Sequence, residues 1–258
     1  MGIWKRPSLG TENNAGYVLI AADTDTPAAT LVDIHSGEVM ALEHDSAKQY
    51  NDLTLFREFA GKASRRWLLK VHRDTILIPH PLSHHATAIE AFEILHGRKP
   101  PSLERQHLLP IDGDMMWETT PSLEQIDLIL DFQAVFIHSC ALAARAVDGH
   151  CGFFQVKAGR LYICIFRQGL LQFQNSFKFE HTEDLLYFVL LGVESFGIQK
   201  GAIQWFGCGE TALLDSGLVE DYIGEWQPLP HRVAIDPALP AALVLRHHTL
   251  LNAILCAS

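Results

Sequence analysis

A chain of 258 residues with 48% hydrophobic and 19% charged content is long enough for one large domain or two lobes with an ample core. Its 30 acidic residues against 20 basic ones, a formal net charge of -10, argue against general nucleic-acid binding, which needs a basic surface to displace counterions from phosphates. The first 16 residues carry Lys5 and Arg6 but no apolar run, so they read as neither a secretion signal nor a membrane span, and five cysteines without paired spacing read as buried, reduced thiols of a cytoplasmic protein.

Residues 1–15 form a polar leader in which Trp4 is the one candidate to dock on the body. Tyr17–Ala22 is a compact apolar strand that ends at Asp23-Thr24-Asp25-Thr26. Ala29–His35 and Val39–His44 read as strands joined by the hairpin signal Ser36-Gly37. Leu53, Phe56, Phe59, Ala60 and Ala63 follow the helical period. Trp67–Val71 and Thr75–Ile78 read as a hairpin around Arg73-Asp74, ended by Pro79 and Pro81. His84–His96 is expected to be helical, with Ala88, Ala91, Phe92 and Leu95 as its apolar stripe and Gly97 as its stop. Arg98–Gln106, with two adjacent prolines, reads as a surface connection. Met115–Thr119 follows as a short strand, Ser122–Phe132 as a helix, Ala134–His138 as a strand and Ser139–Val147 as a small-residue helix.

The stretch from Gly152 to Glu210 has the clearest pattern. Glycine turns at Ala158-Gly159 and Gln168-Gly169 separate three antiparallel strands. The middle strand is apolar on both faces, which places it inside the sheet. In the third, Leu171, Phe173, Phe177 and Phe179 alternate with polar residues, the period of a half-exposed edge strand. Thr182 is the expected cap of a largely buried helix with Glu183 and Asp184 in its first turn, stopping at Gly197. Ile203–Phe206 is a strand ending at Gly207-Cys208-Gly209, Thr211–Ile223 a helix interrupted near Gly217, and Pro237–Cys256 a closing helix. Both halves thus run through three antiparallel strands, a helix, a strand and a helix, which is a repeat of pattern without sequence identity.

The run Leu171-Gln172-Phe173-Gln174-Asn175-Ser176-Phe177, followed by Thr182-Glu183-Asp184-Leu185-Leu186-Tyr187-Phe188, resembles the signature of an uncharacterised bacterial family, domain of unknown function 3822, with an actin-like ATPase fold. The resemblance also reaches, more distantly, the actin-like proteins of pilus assembly. It implies an α/β chain with mixed sheets, made of two ribonuclease-H-like subdomains facing a cleft, here residues 16–149 and 150–258 after the leader.

In that superfamily nucleotide is held by two phosphate loops and a glycine turn near the adenosine, so the resemblance nominates Asp23, Thr26, Lys157, Gly207 and Gly209. Asp23-Thr24-Asp25-Thr26 resembles an Asp-x-Gly-Thr loop with Asp25 where glycine is wanted, and a second carboxylate near a phosphate costs up to about 4 kcal/mol at 4 Å and an effective dielectric near 20. The matching hairpin of the second half, Gln155-Val156-Lys157-Ala158-Gly159, has no aspartate. Gly207-Cys208-Gly209 serves equally as a plain strand-to-helix junction.

Other constellations carry less. His80, His84 and His85 cluster at a proline turn without a carboxylate at ligand spacing, so no metal is expected there. His138-Ser139-Cys140 lacks a glycine elbow, and Asp112-Gly113-Asp114 lacks the later carboxylates of a calcium loop. The expected function is a cytoplasmic, non-catalytic binding or scaffold module with degenerate phosphate loops, which acts through a protein partner and needs no cofactor. The alternative is an ATP-binding kinase or ATPase using Asp23 and magnesium, with Asp23 as its catalytic candidate.

Overall fold

A computed structural model of the chain describes residues 2–6, 9, 16–24, 27–119, 125–157, 159–199 and 201–256, apart from the side chain of His85. The expectations for Asp25, Thr26, Ala158 and most of the leader lie outside the described residues. In chain order the elements are β1 (Gly2–Lys5), β2 (Tyr17–Asp23), β3 (Ala28–Asp33), β4 (Val39–His44), α1 (Thr54–Phe59), β5 (Arg65–Lys70), β6 (Thr75–Pro79), α2 (His85–His96), β7 (Leu103–Leu108), β8 (Gly113–Glu118), β9 (Leu128–Asp131), α3 (Phe132–Ala144), β10 (His150–Lys157), β11 (Arg160–Arg167), β12 (Leu170–Lys178), α4 (Thr182–Ser195), β13 (Ile203–Gly209), α5 (Ser216–Ile223), β14 (Trp226–Pro228), α6 (Ala241–Arg246) and α7 (His248–Asn252). They gather into two compact units, one of Met1–His138 with Val233–Asp236 and Asn252–Ser258, the other of Ser139–Arg232 with Pro237–Leu251.

The first unit is built on a six-stranded sheet in the order β1-β4-β3-β2-β5-β9. β2, β3 and β4 are antiparallel neighbours, while β5 and β9 continue the sheet in parallel with β2. Asp33 shapes the β3–β4 turn by accepting the amides of His35 and Ser36 at 2.9 Å each, and Gly37 takes the positive φ of 68° that the reversal needs. Leu19, Leu31 and Leu68 from the sheet bury against Leu53, Phe56 and Phe59 at α1. A buried carboxylate fixes that helix: Glu43 of β4 accepts the amides of Thr54 at 2.9 Å and Leu55 at 2.6 Å. A negative group there meets both the orphan amides and the positive end of the helix dipole, a contribution of up to about 2 kcal/mol when partly buried. A separate three-stranded sheet, β6-β8-β7, packs Ile76 and Met116 against Ala88 and Phe92 of α2.

The second unit repeats the scheme. Its five-stranded sheet runs β12-β11-β10-β13-β14, with β10, β11 and β12 antiparallel and β13 and β14 parallel to β10. β11 is apolar on both faces because it is interior, and β12 alternates because it is the edge. Phe154, Ile163, Leu185, Val189 and Val219 share one core with α4 and α5. On the other face Phe153 stacks on Phe206 with ring centroids 5.2 Å apart. β10 and β13 approach through glycine: Gly152 lies opposite Trp205, and a Cβ there would come within 2.2 Å of the indole ring.

Several expectations fail for physical reasons. β5 and β6 are not a hairpin, since β5 takes parallel partners on both sides and β6 belongs to the other sheet. Residues 98–106 are not all connection, because Leu103–Leu108 pairs with β8. Leu128–Asp131 is a strand and Ala134–His138 lies inside α3, the reverse of the periodicity reading. Residues 134–137 are all fully buried, and an all-apolar run has no polar face by which to tell the two periods apart. Leu95 is 67% exposed, outside the stripe assigned to it. α4 is amphipathic rather than largely buried, with Tyr187 63% and Leu191 46% exposed. Its cap is His181, in a reciprocal capping box with Asp184, while Thr182 spends its hydroxyl on the amide of Asp215 at 2.9 Å. The following helix does break near Gly217, as expected, at Leu214-Asp215, where Asp215 caps α5. The closing segment divides into α6, α7 and a short 3-10 turn, and β1 and β14 were not foreseen.

Gly152→Ala is expected to destabilise the protein by about 1–3 kcal/mol through overpacking against Trp205. Gly61→Ala, with nothing within 4 Å of its new Cβ, should change stability by less than about 1 kcal/mol. Denaturant midpoints of the two variants measured side by side check the difference.

Candidate functional site

In sheets with parallel strands, ligands are commonly met at the carboxyl ends, where strands release their chains into loops. In the first unit β2, β5 and β9 end in register at Asp23, Lys70 and Asp131, so these three residues form one row. Asp23 is exposed and Asp131 fully buried. Asp131 accepts the amide of Ala134 at 2.8 Å, which starts α3, and pairs with His72 Nδ1 at 3.0 Å. His72 in turn stacks on Trp117, ring centroids 4.9 Å apart. Burial first, and then the charge of Asp23, push the Tyr50 phenol above its ordinary value. An open groove of about 920 Å³ borders Lys48, Gln49, Asp52, Arg57 and Glu58, and of the nominated residues that are described, Asp23, Lys157, Gly207 and Gly209, none lines it.

In the second unit Lys157 ends β10 and Gly209 ends β13 beside it. The Lys157 side chain is only 4% exposed and donates Nζ to Glu210 Oε1 at 3.3 Å. Arg246 Nη2 reaches the same oxygen at 3.5 Å. Gly209 has φ 88°, and a Cβ on it would lie 2.2 Å from the Val156 carbonyl oxygen, which also accepts the Glu210 amide at 2.7 Å. A Cβ on Gly207 would lie 2.5 Å from the Phe154 ring. Steric need accounts for both glycines. Behind this edge Thr249 donates to Gln155 at 2.8 Å, and enclosed His248 bonds the Pro230 carbonyl through Nε2 at 3.1 Å.

Of the nominated residues, the structure gathers Lys157, Gly207 and Gly209 along two adjacent strands of one unit and puts Asp23 in the other, with Thr26 outside the described residues. Sequence reading missed Lys70, Asp131 and His72 in the first unit and Glu210 and Arg246 in the second. Only the strand register and a helix distant in sequence bring these in. Burial pushes the Cys151 and Cys256 thiols up to about 12 and those of Cys140 and Cys208 well above the ordinary thiol value, which disfavours the nucleophilic thiolate at these four positions.

Comparison with solved structures defines the class. The chain superposes on a Bacteroides thetaiotaomicron protein described as having an actin-like ATPase fold and unknown function, with TM-score 0.75 and 15% identity over 96% of this chain and 99% of that one. It also resembles a chain of the PilM–PilN type IV pilus biogenesis complex, with TM-score 0.56 and 13% identity over 94% and 98%. The fold is therefore the actin-like ATPase fold, α/β with mixed sheets. The family described as "Protein of unknown function (DUF3822)" matches residues 129–217, which contain the whole signature from Leu171 to Phe188, so the resemblance read from those residues is to that family. No curated protein matches the sequence. Among the described residues no helix is long and apolar enough to cross a membrane.

Burial, aided by the charge of His231, pushes His248 down to about 4 against the opposing bond to Pro230. A histidine kept neutral in the fold but free to protonate when unfolded costs stability as pH falls. The loss begins near the unfolded value of about 6.5 and is complete below about 4, reaching about 3 kcal/mol. His248→Gln, which keeps a donor for Pro230, should flatten the fall in stability between those limits, as read by denaturant unfolding across the pH range.

Proposed function

We propose that this chain is a cytoplasmic binding or scaffold module in which the phosphate-holding edges of an actin-like fold no longer support ATP turnover. The observation that carries the reading is the pairing of the enclosed Lys157 with the partly buried Glu210. Two cations flank the β10–β11 turn: Lys157 is already matched by Glu210, the carboxylate that follows the glycine turn, and Arg160 across the turn donates to Ser176 at 2.8 Å. A phosphate 4 Å from that carboxylate would meet a repulsion of up to about 4 kcal/mol at an effective dielectric near 20. Releasing Lys157 would also strand a charge that is nearly enclosed, which is costly.

The surface offers binding faces instead. β12 is an edge strand carrying Gln172, Gln174 and Ser176, and on α4 Tyr187 and Leu191 stand exposed. Sheet edges and apolar helix faces are common modes of protein recognition. A similar fold takes part in the PilM–PilN complex, which supports assembly as a use for it.

A second reading, an ATP-dependent kinase or ATPase using Asp23 and magnesium, draws on the row Asp23, Lys70 and Asp131 at the carboxyl ends of parallel strands. Thermal melting with and without magnesium-ATP separates the two, because a ligand at a hundredfold its Kd adds about 2.7 kcal/mol. No shift is expected at millimolar nucleotide. A shift that Asp23→Ala abolishes would overturn the binding-module reading. Affinity capture from the native cytosol should recover a partner with the wild-type chain and lose it when Tyr187 and Leu191 are both changed to Lys.

A further inference from the structure

His107 on β7 and Asp114 on β8 are direct cross-strand partners, so their side chains leave the three-stranded sheet on the same face. Ile78 pairs with Asp114 from the other side of β8, and His80 stands two residues beyond it, just past the end of β6. Strand alternation delivers His80 to that face as well. His80 Nδ1 lies 2.9 Å from Asp114 Oδ2, and His107 Nδ1 lies 2.8 Å from Asp114 Oδ1. The two imidazole rings are 4.4 Å apart between centroids. One ligand atom from each of the three residues falls within 4.8 Å of the others. Asp114 is wholly buried, whereas the side chains of His80 and His107 are 48% and 34% exposed. Burial works against ionisation of Asp114, but hydrogen bonds from Ser83, His80 and His107 outweigh it and hold the carboxyl below its ordinary value.

We propose that His80, His107 and Asp114 form a binding site for a divalent transition-metal ion, with zinc the best match. Two imidazoles and one carboxylate are borderline donors that suit zinc, and the imidazoles disfavour magnesium and calcium, which take oxygen ligands. Zinc holds nitrogen and oxygen at about 2.0–2.2 Å, which sets tetrahedral donors roughly 3.3 Å apart. Each Nδ1 stands 2.8 to 2.9 Å from a different oxygen of Asp114 and the three ligand atoms fall within 4.8 Å of one another, so a rotation of the two rings, which lie at the solvent edge, brings both nitrogens to one ion beside the carboxylate. Binding exchanges the two hydrogen bonds for coordinate bonds. A proton that faces Asp114 on either Nδ1 leaves that nitrogen, for Nε2 of the same ring or for water, and the freed Nδ1 lone pair turns to the metal. The ionised carboxylate leaves one positive charge on the site, and the fourth position opens to water or an exogenous donor. Sequence reading could not find this set. Asp114 is seven residues from His107 and 34 from His80, and the strand register alone unites them. The inference is independent of how Lys157 and Glu210 are read.

Zinc titrated calorimetrically into the full chain, stripped beforehand with a chelator, should bind as a single ion, and cobalt(II) should give visible d–d absorption of a nitrogen- and oxygen-ligated ion. His80→Ala and His107→Ala alter solvent-edge side chains, and both are expected to melt as cooperatively as the parent while losing at least about tenfold in zinc affinity. His35→Ala, in the exposed β3–β4 turn, should leave affinity unchanged. Absence of saturable uptake, or uptake retained by both His80→Ala and His107→Ala, would overturn the proposal.

Discussion

Each unit depends on one strand that accepts an antiparallel neighbour on one side and a parallel neighbour on the other. In the first unit it is β2, between β3 and β5; in the second it is β10, between β11 and β13. The antiparallel side needs only a tight turn, while the parallel side needs a crossover long enough to hold a helix. That asymmetry produces a helix-covered face and collects the carboxyl ends of the parallel strands along one edge. The polar residues that matter at these edges owe their positions to it.

The same edges have been filled differently. In the first unit the row holds an exposed carboxylate, a lysine and a buried carboxylate that is committed to His72 and to the start of α3. In the second, the lysine is enclosed and matched by Glu210, with Arg246 near the same oxygen. Buried charge is tolerated only where partners replace the lost water, and Glu43, Asp114, Asp131 and Lys157 each have them. What separates these groups is where their partners come from. Glu43 serves a helix end of its own unit, and Lys157 is answered by the residue after a glycine turn. Asp114 is different, because two solvent-facing imidazoles serve it at once.

The stretch from Gly152 to Glu210 was legible because each of its strands has an unambiguous environment. β11 lies between two neighbours and is apolar from Leu161 to Phe166, while β12 has one neighbour and alternates. Turn glycines mark their ends. Residues 128–138 were misread because α3 is buried on nearly every side, so its apolar run carries no period. β7 was hidden because Glu104, Arg105 and His107 look like loop residues, and only pairing with β8 makes a strand of them. The nominated residues were found through the resemblance, and their partners were not. Glu210 follows Gly209 directly, yet nothing in that succession shows that its carboxylate turns to Lys157, 53 positions earlier.

The sequence by itself determined the repeated order of strands and helices, the interior and edge places of β11 and β12, and the family resemblance carried by Leu171 to Phe188. These follow from local periodicity and short contiguous motifs, which need no knowledge of distant neighbours. Only the tertiary structure decided that β5 and β6 part into different sheets, that Lys157 is answered by Glu210, and that His80, His107 and Asp114 converge. Register between strands is a long-range property: it is set by which faces bury together, and side chains dozens of residues apart acquire a common chemistry only once those faces have met.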